Sequence, residues 1–436
     1  MRGESAISDS ESRLPRSIAP LGYRNFLLYF VGYAATNTGR WMELTGVVWL
    51  AYQLTSSPVL LGVLGIARAA PVIVLSPIGG VVADRVDQRR LLVTTQALGF
   101  AASLALGILI LTGRVELWHV YAQVVVQASI TAFDAAGRQA MFPRLVPKAR
   151  LSEAVTLSVV AARSSKLIGP AVGGLAIAAW GEASPFLLNA LTFVSLITAV
   201  TWMRGVKPRT LREGSTFRGE LFDGMGYLLR APVLSGLLQL ELVFGIFQLN
   251  PVIIAIIGRQ VFGVGPEGLG GMLSAPALGS ILGIAGLLIV GQPSRSGRFV
   301  VICVLLYAVG LVALAAAGAY LVALGVLVCI GVVDALAAVT RQSVMQMAAP
   351  GRMRGRVMAN VGMVTRGTSP LAEAQSGGLA GLLGPQLALV SAAFALATAA
   401  TLTGRANRSL WRFSRADSEP EPMVSPAAIA VVPEGE

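Results

Sequence analysis

The most constraining feature of this sequence is a series of twelve long apolar runs between about residue 25 and residue 403. Each run is close to or above the length of about 20 residues that an α-helix needs to cross a bilayer. The runs are continuously apolar and do not alternate, which excludes a membrane β-barrel. The sequence therefore predicts an all-α polytopic membrane protein with twelve transmembrane helices. These helices, called spans one to twelve below, cover residues 25–52, 59–82, 91–112, 118–141, 153–179, 185–203, 233–257, 269–290, 299–317, 320–340, 357–382 and 386–403.

Charged residues make up only 13% of the chain, about half of the share found in soluble domains. The deficit extends along the whole chain, so it excludes an ordinary soluble enzyme, a disordered protein and a secreted disulfide scaffold. Cys303 and Cys329 lie inside apolar runs and predict packing, not a disulfide. A single histidine, His119, is too few for a histidine-based metal site. We therefore predict no metal and no cofactor.

The basic residues predict the orientation of the chain, because cytoplasmic connections are enriched in Lys and Arg. If both termini face the cytoplasm, the cytoplasmic segments hold 26 of the 34 basic residues and the opposite loops hold two, Arg114 and Arg259. Orientation and attraction to anionic membrane lipid explain the net charge of +12 without a nucleic-acid partner. Residues 1–22 lack the apolar core of a signal peptide and predict a cytoplasmic tail.

The chain reads as two similar halves. Arg138-Gln139 recurs as Arg341-Gln342, and Arg163 recurs as Arg366, each 203 residues later. Transporters built from such repeats place their binding site between the repeats, near the middle of the bilayer. The predicted divisions are a tail over 1–22, a six-helix bundle over 23–203, a cytoplasmic linker over 204–231, a second six-helix bundle over 232–404 and a disordered tail over 405–436.

The connection after span two contains a glycine, an acid and three arginines at fixed spacing. It reads G-V-V-A-D-R-V-D-Q-R-R and resembles the signature loop of the major facilitator superfamily, G-x-x-x-D-R-x-x-x-R-R. The resemblance implies a twelve-helix secondary transporter and a gating loop. An acid in this loop would be stabilised by the N-terminus of span eleven in the other half, since that helix end carries partial positive charge. The gating-loop residues are Gly80, Asp84, Arg85, Arg89 and Arg90.

Span five carries a second motif, which is similar to the antiporter motif of the same superfamily. Its residues are Gly169, Pro170, Gly173 and Gly174. Residues 37–42, 133–140 and 186–191 further resemble the branch that exports drugs, macrolides and siderophores. The resemblance covers about 22–404 and implies export through a cavity lined by spans one, four, seven and ten.

Ionisable side chains inside the spans are costly, at least about 2.5 kcal/mol each near the bilayer centre, so they are usually functional or paired. Spans three, six, nine and twelve have none, which predicts that these four helices face lipid. The other helices must face protein or a water-filled cavity. Apart from Glu153 at the first position of span five, the charged residues within the spans are Arg40, Glu43, Arg68, Asp134, Arg138, Arg163, Lys166, Glu241, Asp334, Arg366 and Glu373.

Two acid–base pairs have helical spacing, Asp134 with Arg138 and Arg40 with Glu43, so each can pair on one helix. Such a pair either neutralises buried charge or contains a carboxylate that exchanges a proton, since burial and a nearby Arg act on a carboxyl pKa in opposite directions. We favour Asp134 as the proton carrier because its motif resembles the exporter branch. Glu241 and Asp334 are either protonated or matched across helices. The candidates for proton coupling are Asp134, Arg138, Glu43, Arg40, Glu241 and Asp334.

Arg163 and Lys166 share a helix face without a local acid. They predict either an anionic group on the substrate or an acid from another helix. Aromatic residues in spans one and seven favour an amphiphilic substrate where they reach the cavity. The candidate cavity residues are Asn37, Trp41, Phe133, Arg163, Lys166, Phe244 and Arg366.

These features predict a monomeric secondary transporter in the cell membrane that exports small amphiphilic organic molecules by proton antiport and alternating access. No Walker-type phosphate loop is present, so we expect no ATP hydrolysis. No nucleophile elbow or metal-ligand spacing supports an enzyme, and we predict no catalytic residues. Two alternatives remain open: an importer or facilitator of a small metabolite, and a transporter-like membrane receptor or scaffold.

Overall fold

The computed structural model describes residues 15–204, 225–350 and 353–413, without the side chains of Arg16, Ser17, Asp84 and Arg366. All regular structure in these ranges is helical. The parts of both tails that fall in residues 1–14 and 414–436, and most of the predicted linker, residues 205–224, lie outside the described residues. The helices of the first half are α1 (Arg24–Thr55), α2 (Pro58–Arg85), α3 (Gln88–Leu111), α4 (Leu117–Met141), α5 (Leu151–Trp180) and α6 (Ser184–Trp202).

The second half is also built from long helices, and residues 225–230 are helical before it begins. Its helices are α7 (Pro232–Phe247), α8 (Pro251–Gln260), α9 (Pro266–Val290), α10 (Ser296–Ala315), α11 (Tyr320–Ala348), α12 (Arg354–Leu383), α13 (Pro385–Ala406) and the short α14 (Arg408–Arg412). Three 3-10 turns, Arg16–Gly22, Phe142–Arg144 and Lys148–Arg150, complete the described elements.

Eight segments of the described chain are long and apolar enough to cross a membrane: α2, α3, α6, α7 together with α8, α9, α10, α11 and α13. Four other long helices, α1, α4, α5 and α12, are not in this set. These four carry most of the charged residues identified within the predicted spans. Their lower hydropathy therefore has a physical origin, because helices that line a polar interior need less apolar surface than helices that face lipid.

Span seven was predicted as one continuous helix, and this prediction was wrong. The structure has two helices, α7 and α8, separated at residues 248–250. Pro251 begins α8, where its missing N–H costs nothing. The side chain of Asn250 accepts hydrogen bonds from the backbone N–H groups of Val252, at 3.1 Å, and Ile253, at 3.2 Å. A capped helix start of this kind inside an apolar run is invisible to a hydropathy count.

Each half packs mainly within itself, and the halves meet mainly through two helix pairs. In the first half α1 packs against α5 and α6, and α3 and α4 close the bundle. In the second half α11 packs against α9 and α10, and α12 packs against α7. The contacts between halves join α5 to α9 and α2 to α12. The two joining pairs therefore decide how the halves are held relative to each other.

Both joining pairs are tight at one end of the bundle, the end where α1 leads into α2. We call this the closed end. A Cβ atom on Gly174 of α5 would overlap the carbonyl of Pro266, and one on Gly270 of α9 would reach the carbonyl oxygen of Pro170 at 2.5 Å. A Cβ atom on Gly377 of α12 would overlap the backbone of α2 at Gly62. These crossings need glycine because backbone lies directly against backbone.

The same helices have free space at the other end of the bundle, which we call the open end. A Cβ atom placed on Gly80 of α2, Gly286 of α9 or Gly362 of α12 would meet no described atom within 4 Å. The halves are therefore in direct backbone contact at the closed end, and these three glycines show no such contact at the open end.

Candidate functional site

A cavity of about 310 Å³ lies among α1, α2 and α4. Its wall combines guanidinium, carboxyl, amide and hydroxyl groups with one indole ring and a few aliphatic side chains. A membrane-embedded wall of this composition favours a polar or amphiphilic ligand. The lining residues are Asn37, Arg40, Trp41, Glu43, Leu44, Val47, Arg68, Val72, Gln123, Val124, Gln127, Ala128 and Thr131.

Arg40 reaches into this cavity with little support from the protein. Its Nη2 atom donates to Thr131 Oγ1 at 3.4 Å. No described carboxylate lies within 4.0 Å of its guanidinium, and this includes Glu43. The Arg40–Glu43 ion pair that helical spacing allows is therefore not formed. The reason is that Glu43 turns towards neutral donors on other helices, which leaves Arg40 facing the cavity.

Glu43 is buried and is surrounded by neutral hydrogen-bond donors. Its carboxylate accepts bonds from Gln123 at 2.5 Å, Ser103 at 3.2 Å, Gln127 at 3.3 Å and Asn189. These donors come from α3, α4 and α6. Sequence reasoning did not single out these donors, although polar residues in otherwise apolar helices are a usable signal. These neutral donors hold the acid without an ion pair to any described residue.

The Asp134–Arg138 pair is formed as the helical spacing predicts. Arg138 Nη2 lies 2.5 Å from Asp134 Oδ2, and Gln96 donates to Asp134 Oδ1 at 2.7 Å. The guanidinium also lies over the ring of Tyr33, 5.2 Å from its centroid. Both oxygens of Asp134 are thus occupied. Phe133 does not line the cavity, and its backbone faces Gly79 of α2.

The second half contains a related arrangement. Arg341 Nε lies 2.5 Å from Glu241 Oε2, and its guanidinium lies 5.3 Å from the centroid of the Phe244 ring. Thr365 donates to the other oxygen of Glu241 at 2.9 Å. Glu241 is thus matched across helices, one of the two alternatives left open by the sequence. Phe244 is buried against Arg341 and Tyr307, so it is not part of the cavity.

Lys166 on α5 faces groups from other helices. Its Nζ atom lies 5.5 Å from the centroid of the Trp41 ring. It also interacts electrostatically with Asp334 of α11 and with Arg163. The acid from another helix that was one explanation for Arg163 and Lys166 is therefore present. Neither basic residue lines the cavity among α1, α2 and α4.

The residues of the gating loop lie at the open end. Asp87, which the motif did not single out, caps α3 by accepting from the backbone N–H of Arg89 at 2.8 Å. The Arg89 side chain donates to the carbonyl of Thr201 in the same half. Arg85 and Arg90 are exposed. Gly80 faces free space, whereas the side chain of Asp84 lies outside the described structure, as does that of Arg366, the last of the predicted cavity residues.

The antiporter-like motif packs α5 against two neighbours. Gly169 and Gly173 lie against α1 at Trp41 and Met42, where a Cβ atom would clash. Gly174 and Pro170 lie against α9 across the halves. The motif thus belongs to the closed end. The described residues contain no cluster of three His, Cys, Asp or Glu side chains that could hold a metal ion.

The sequence matches the model of the transmembrane secretion effector family over residues 16–433. One relative is the MFS-type transporter YfiS of Bacillus subtilis, 30% identical over 57% of this chain; the match spans 60% of that protein's length. Another is the multidrug efflux pump Tap of Mycolicibacterium fortuitum, 24% identical over 82% of this chain and 90% of that protein. The staphyloferrin A transporter of Staphylococcus aureus is 26% identical over 36% of this chain and 39% of that protein.

Solved transporters share the fold at low sequence identity. A POT family transporter superposes with a TM-score of 0.71 at 13% identity, covering 89% of this chain and 96% of that one. An inward-facing bacterial homologue of Spinster has a TM-score of 0.69 at 13% identity, covering 90% and 99%. The family match extends over nearly the whole chain. The chain therefore belongs to the transmembrane secretion effector family of major facilitator transporters, and it is a multi-pass protein of the cell membrane and not an enzyme.

Proposed function

We propose that this protein exports small amphiphilic organic molecules, such as drugs, siderophores or secondary metabolites, in exchange for protons by alternating access. The observation that carries the proposal is the cavity among α1, α2 and α4, whose wall holds a cation, an acid and an indole ring inside a membrane protein. Relatives named as a multidrug efflux pump, a macrolide efflux protein and a staphyloferrin A transporter support the direction and the substrate class.

The twelve-span arrangement with both termini in the cytoplasm remains part of this proposal, together with the predicted bundle and tail boundaries and a monomeric state. In that orientation the open end faces the cytoplasm and the closed end faces outward. The structure then corresponds to the state that takes up substrate from the inside. The membrane potential and the proton gradient would drive the return of the carrier.

Within the cavity we propose that Glu43, and not Asp134, exchanges the coupling proton. Asp134 keeps Arg138 at 2.5 Å and Gln96 at 2.7 Å, so both of its carboxylate oxygens are already bound. Glu43 has only neutral donors and lies on the cavity wall. Protonation converts an acceptor into a donor, so it changes which substrate groups the cavity can bind. Arg40 and Trp41 would contact the polar and the aromatic part of that substrate.

Transport into inverted membrane vesicles tests the proposal. Vesicles that are acidic inside should accumulate a radiolabelled macrolide, and a protonophore should abolish the accumulation. Glu43→Gln should abolish accumulation against the gradient while still allowing exchange. Glu153→Gln is the matched control, because Glu153 lies in the first turn of α5 beside Arg150, away from the cavity. Accumulation that persists unchanged after the protonophore would exclude proton coupling, and uptake only into right-side-out vesicles would indicate an importer.

A further inference from the structure

We propose that Arg68 and Glu373 lock the two halves together at the closed end, and that protonation of Glu373 releases this lock. The inference rests on the proposed proton-coupled export and adds an acid that sequence motifs do not mark. The proposal makes one ion pair between α2 and α12 control the opening of the closed end, which is the step that produces the outward-facing state.

The pair joins the halves through a short contact. Arg68 Nη1 lies 2.7 Å from Glu373 Oε1, and the two residues are 305 positions apart in the sequence. The Glu373 side chain is 4% exposed, whereas the Arg68 side chain is 29% exposed and lines the cavity. One partner is thus sealed in the contact between the halves, and the other borders the substrate cavity. Arg68 therefore connects the two regions.

The backbone around the Arg68–Glu373 pair forms part of the tight contact between α2 and α12 at the closed end. A Cβ atom on Gly65 would overlap the Glu373 side chain and would lie 2.8 Å from the carbonyl oxygen of Pro370. One turn further towards the closed end, Gly62 lies directly against Gly377. Because these contacts occupy the same two helix faces as the ion pair, α2 and α12 cannot separate there without pulling Arg68 from Glu373.

Arg68 is the only charged group in the described structure that acts on Glu373. From the segment between α7 and α8, Asn250 binds the carbonyl of Ala372 at 3.1 Å and the hydroxyl of Ser376 at 2.8 Å, so it adds no charge. Glu241 of α7 lies two turns away at Thr365 and is bound to Arg341. The second oxygen of Glu373 is buried without a hydrogen-bond partner.

These contacts predict a proton cycle at Glu373. When the closed end opens, the carboxylate loses the cation that binds it, and a buried carboxylate without a cation takes up a proton. The proton comes from the side onto which the closed end has opened. When the halves close again, Arg68 returns, the O–H bond of Glu373 breaks and the proton leaves through the cavity towards the open end. Each opening and closing thus moves one proton through Glu373, opposite to the exported substrate and in addition to the proton assigned to Glu43.

A second contact at the closed end does not depend on a proton. Arg259 at the end of α8 lies 4.5 Å from the centroid of the Trp49 ring and 5.8 Å from that of Tyr52, both on α1. This cation–π contact explains a basic residue in a predicted outer loop. Arginine stays charged at any relevant pH, so the acid dependence of the closed end should arise at Glu373.

Distances between spin labels in the full chain test the lock directly. The background carries Cys303→Ala and Cys329→Ser, and labels are attached through Leu54→Cys and Leu382→Cys, two exposed positions at the closed end in different halves. In nanodiscs without substrate, we expect one short distance at about pH 8 and a growing longer distance at about pH 5. With Glu373→Gln we expect the longer distance at both pH values.

The matched control is Glu241→Gln, which removes an equally buried acid from an Arg pair inside one half. It should leave the closed-end distances of the background protein unchanged. If Glu373→Gln fails to fold, the exchange of Arg68→Glu with Glu373→Arg replaces it, and this double variant should keep the short distance at about pH 8. Unchanged distances in Glu373→Gln, or equal opening in Glu241→Gln, would overturn the proposal.

The readout uses no substrate and no gradient, so it separates this inference from the proposed function. A pH-dependent opening that requires Glu373, together with transport that ignores a protonophore, would keep the Arg68–Glu373 lock but reject both the proton cycle at Glu373 and proton-driven export. Proton-driven transport with closed-end distances that do not respond to Glu373→Gln would keep the export function and reject the lock.

Discussion

The Asp134–Arg138 pair allows a quantitative test of whether a buried charge in the first half is structural. Arg138 Nη2 and Asp134 Oδ2 are 2.5 Å apart, and both side chains are at most 10% exposed. The Nε atom of Arg138 is buried without a hydrogen-bond partner. Asp134→Asn keeps an oxygen for Gln96 but leaves the guanidinium uncompensated. Removing one partner of a buried pair typically costs about 3–5 kcal/mol of unfolding free energy.

The double variant Asp134→Asn with Arg138→Gln removes both charges. Replacing a whole buried pair by neutral residues is often close to neutral, so we expect the double variant to regain at least about 2 kcal/mol over the single variant. Unfolding in mixed micelles of increasing SDS content, followed by circular dichroism, gives the free energies. We also expect near-normal proton-driven uptake into inverted vesicles, because Asp134 is assigned a structural role.

Two results would refute this reasoning. A double variant that is as unstable as Asp134→Asn would show that the unpaired guanidinium is not the source of the cost. A double variant that is well folded and binds substrate, but cannot accumulate it against a gradient, would identify Asp134, and not Glu43, as the residue that carries the coupling proton. Arg138→Gln alone completes the cycle and measures how much each partner contributes.

Three further predictions concern the cavity and the two ends of the bundle. Glu43→Gln should flatten the pH dependence of substrate binding to the purified protein, measured by fluorescence, and an unchanged dependence would exclude Glu43 as the titrating group. Gly174→Val should strain the α5–α9 crossing by about 1–3 kcal/mol and lengthen closed-end label distances, while Gly80→Ala, which meets free space, should change neither. Asp84→Asn should leave the protein inserted but reduce transport and increase cysteine labelling at the open end, and full activity would limit the loop to orientation.

Sequence patterns predicted those features of this protein that depend on neighbours along one helix. The apolar runs predicted the long helices, and the spacing of Asp134 and Arg138 predicted the contact between their side chains. The break in span seven was missed because Asn250 and Pro251 sit inside an apolar run, where only the backbone reveals the cap. Hydropathy describes the average of a segment, so it cannot detect a local hydrogen-bond pattern.

Contacts between helices could not be predicted from the sequence, for a different reason. Glu43 is held by Gln123 and Asn189, which are 80 and 146 positions away, and Glu241 is held by Arg341. A single sequence contains no information about which helix faces meet, so Glu43 was paired with Arg40 on its own helix and Glu241 was left without a named partner. For the same reason Glu373, whose partner is 305 positions away, was counted as a charge without a role.

The uneven position of the cavity along α2 has a mechanical consequence. Arg68 lies six residues from Gly62 at the closed end and twelve from Gly80 at the open end, about 9 Å and about 18 Å along the helix axis. Opening the closed end must separate Arg68 from Glu373, so we place the fulcrum between Arg68 and Gly80 and not at Arg68 itself. A rotation of about 15° about a point midway between these two residues, about 18 Å from Gly62, displaces Gly62 by about 5 Å and Arg68 by about half as much. The outer mouth therefore opens only when the ion pair of 2.7 Å is broken.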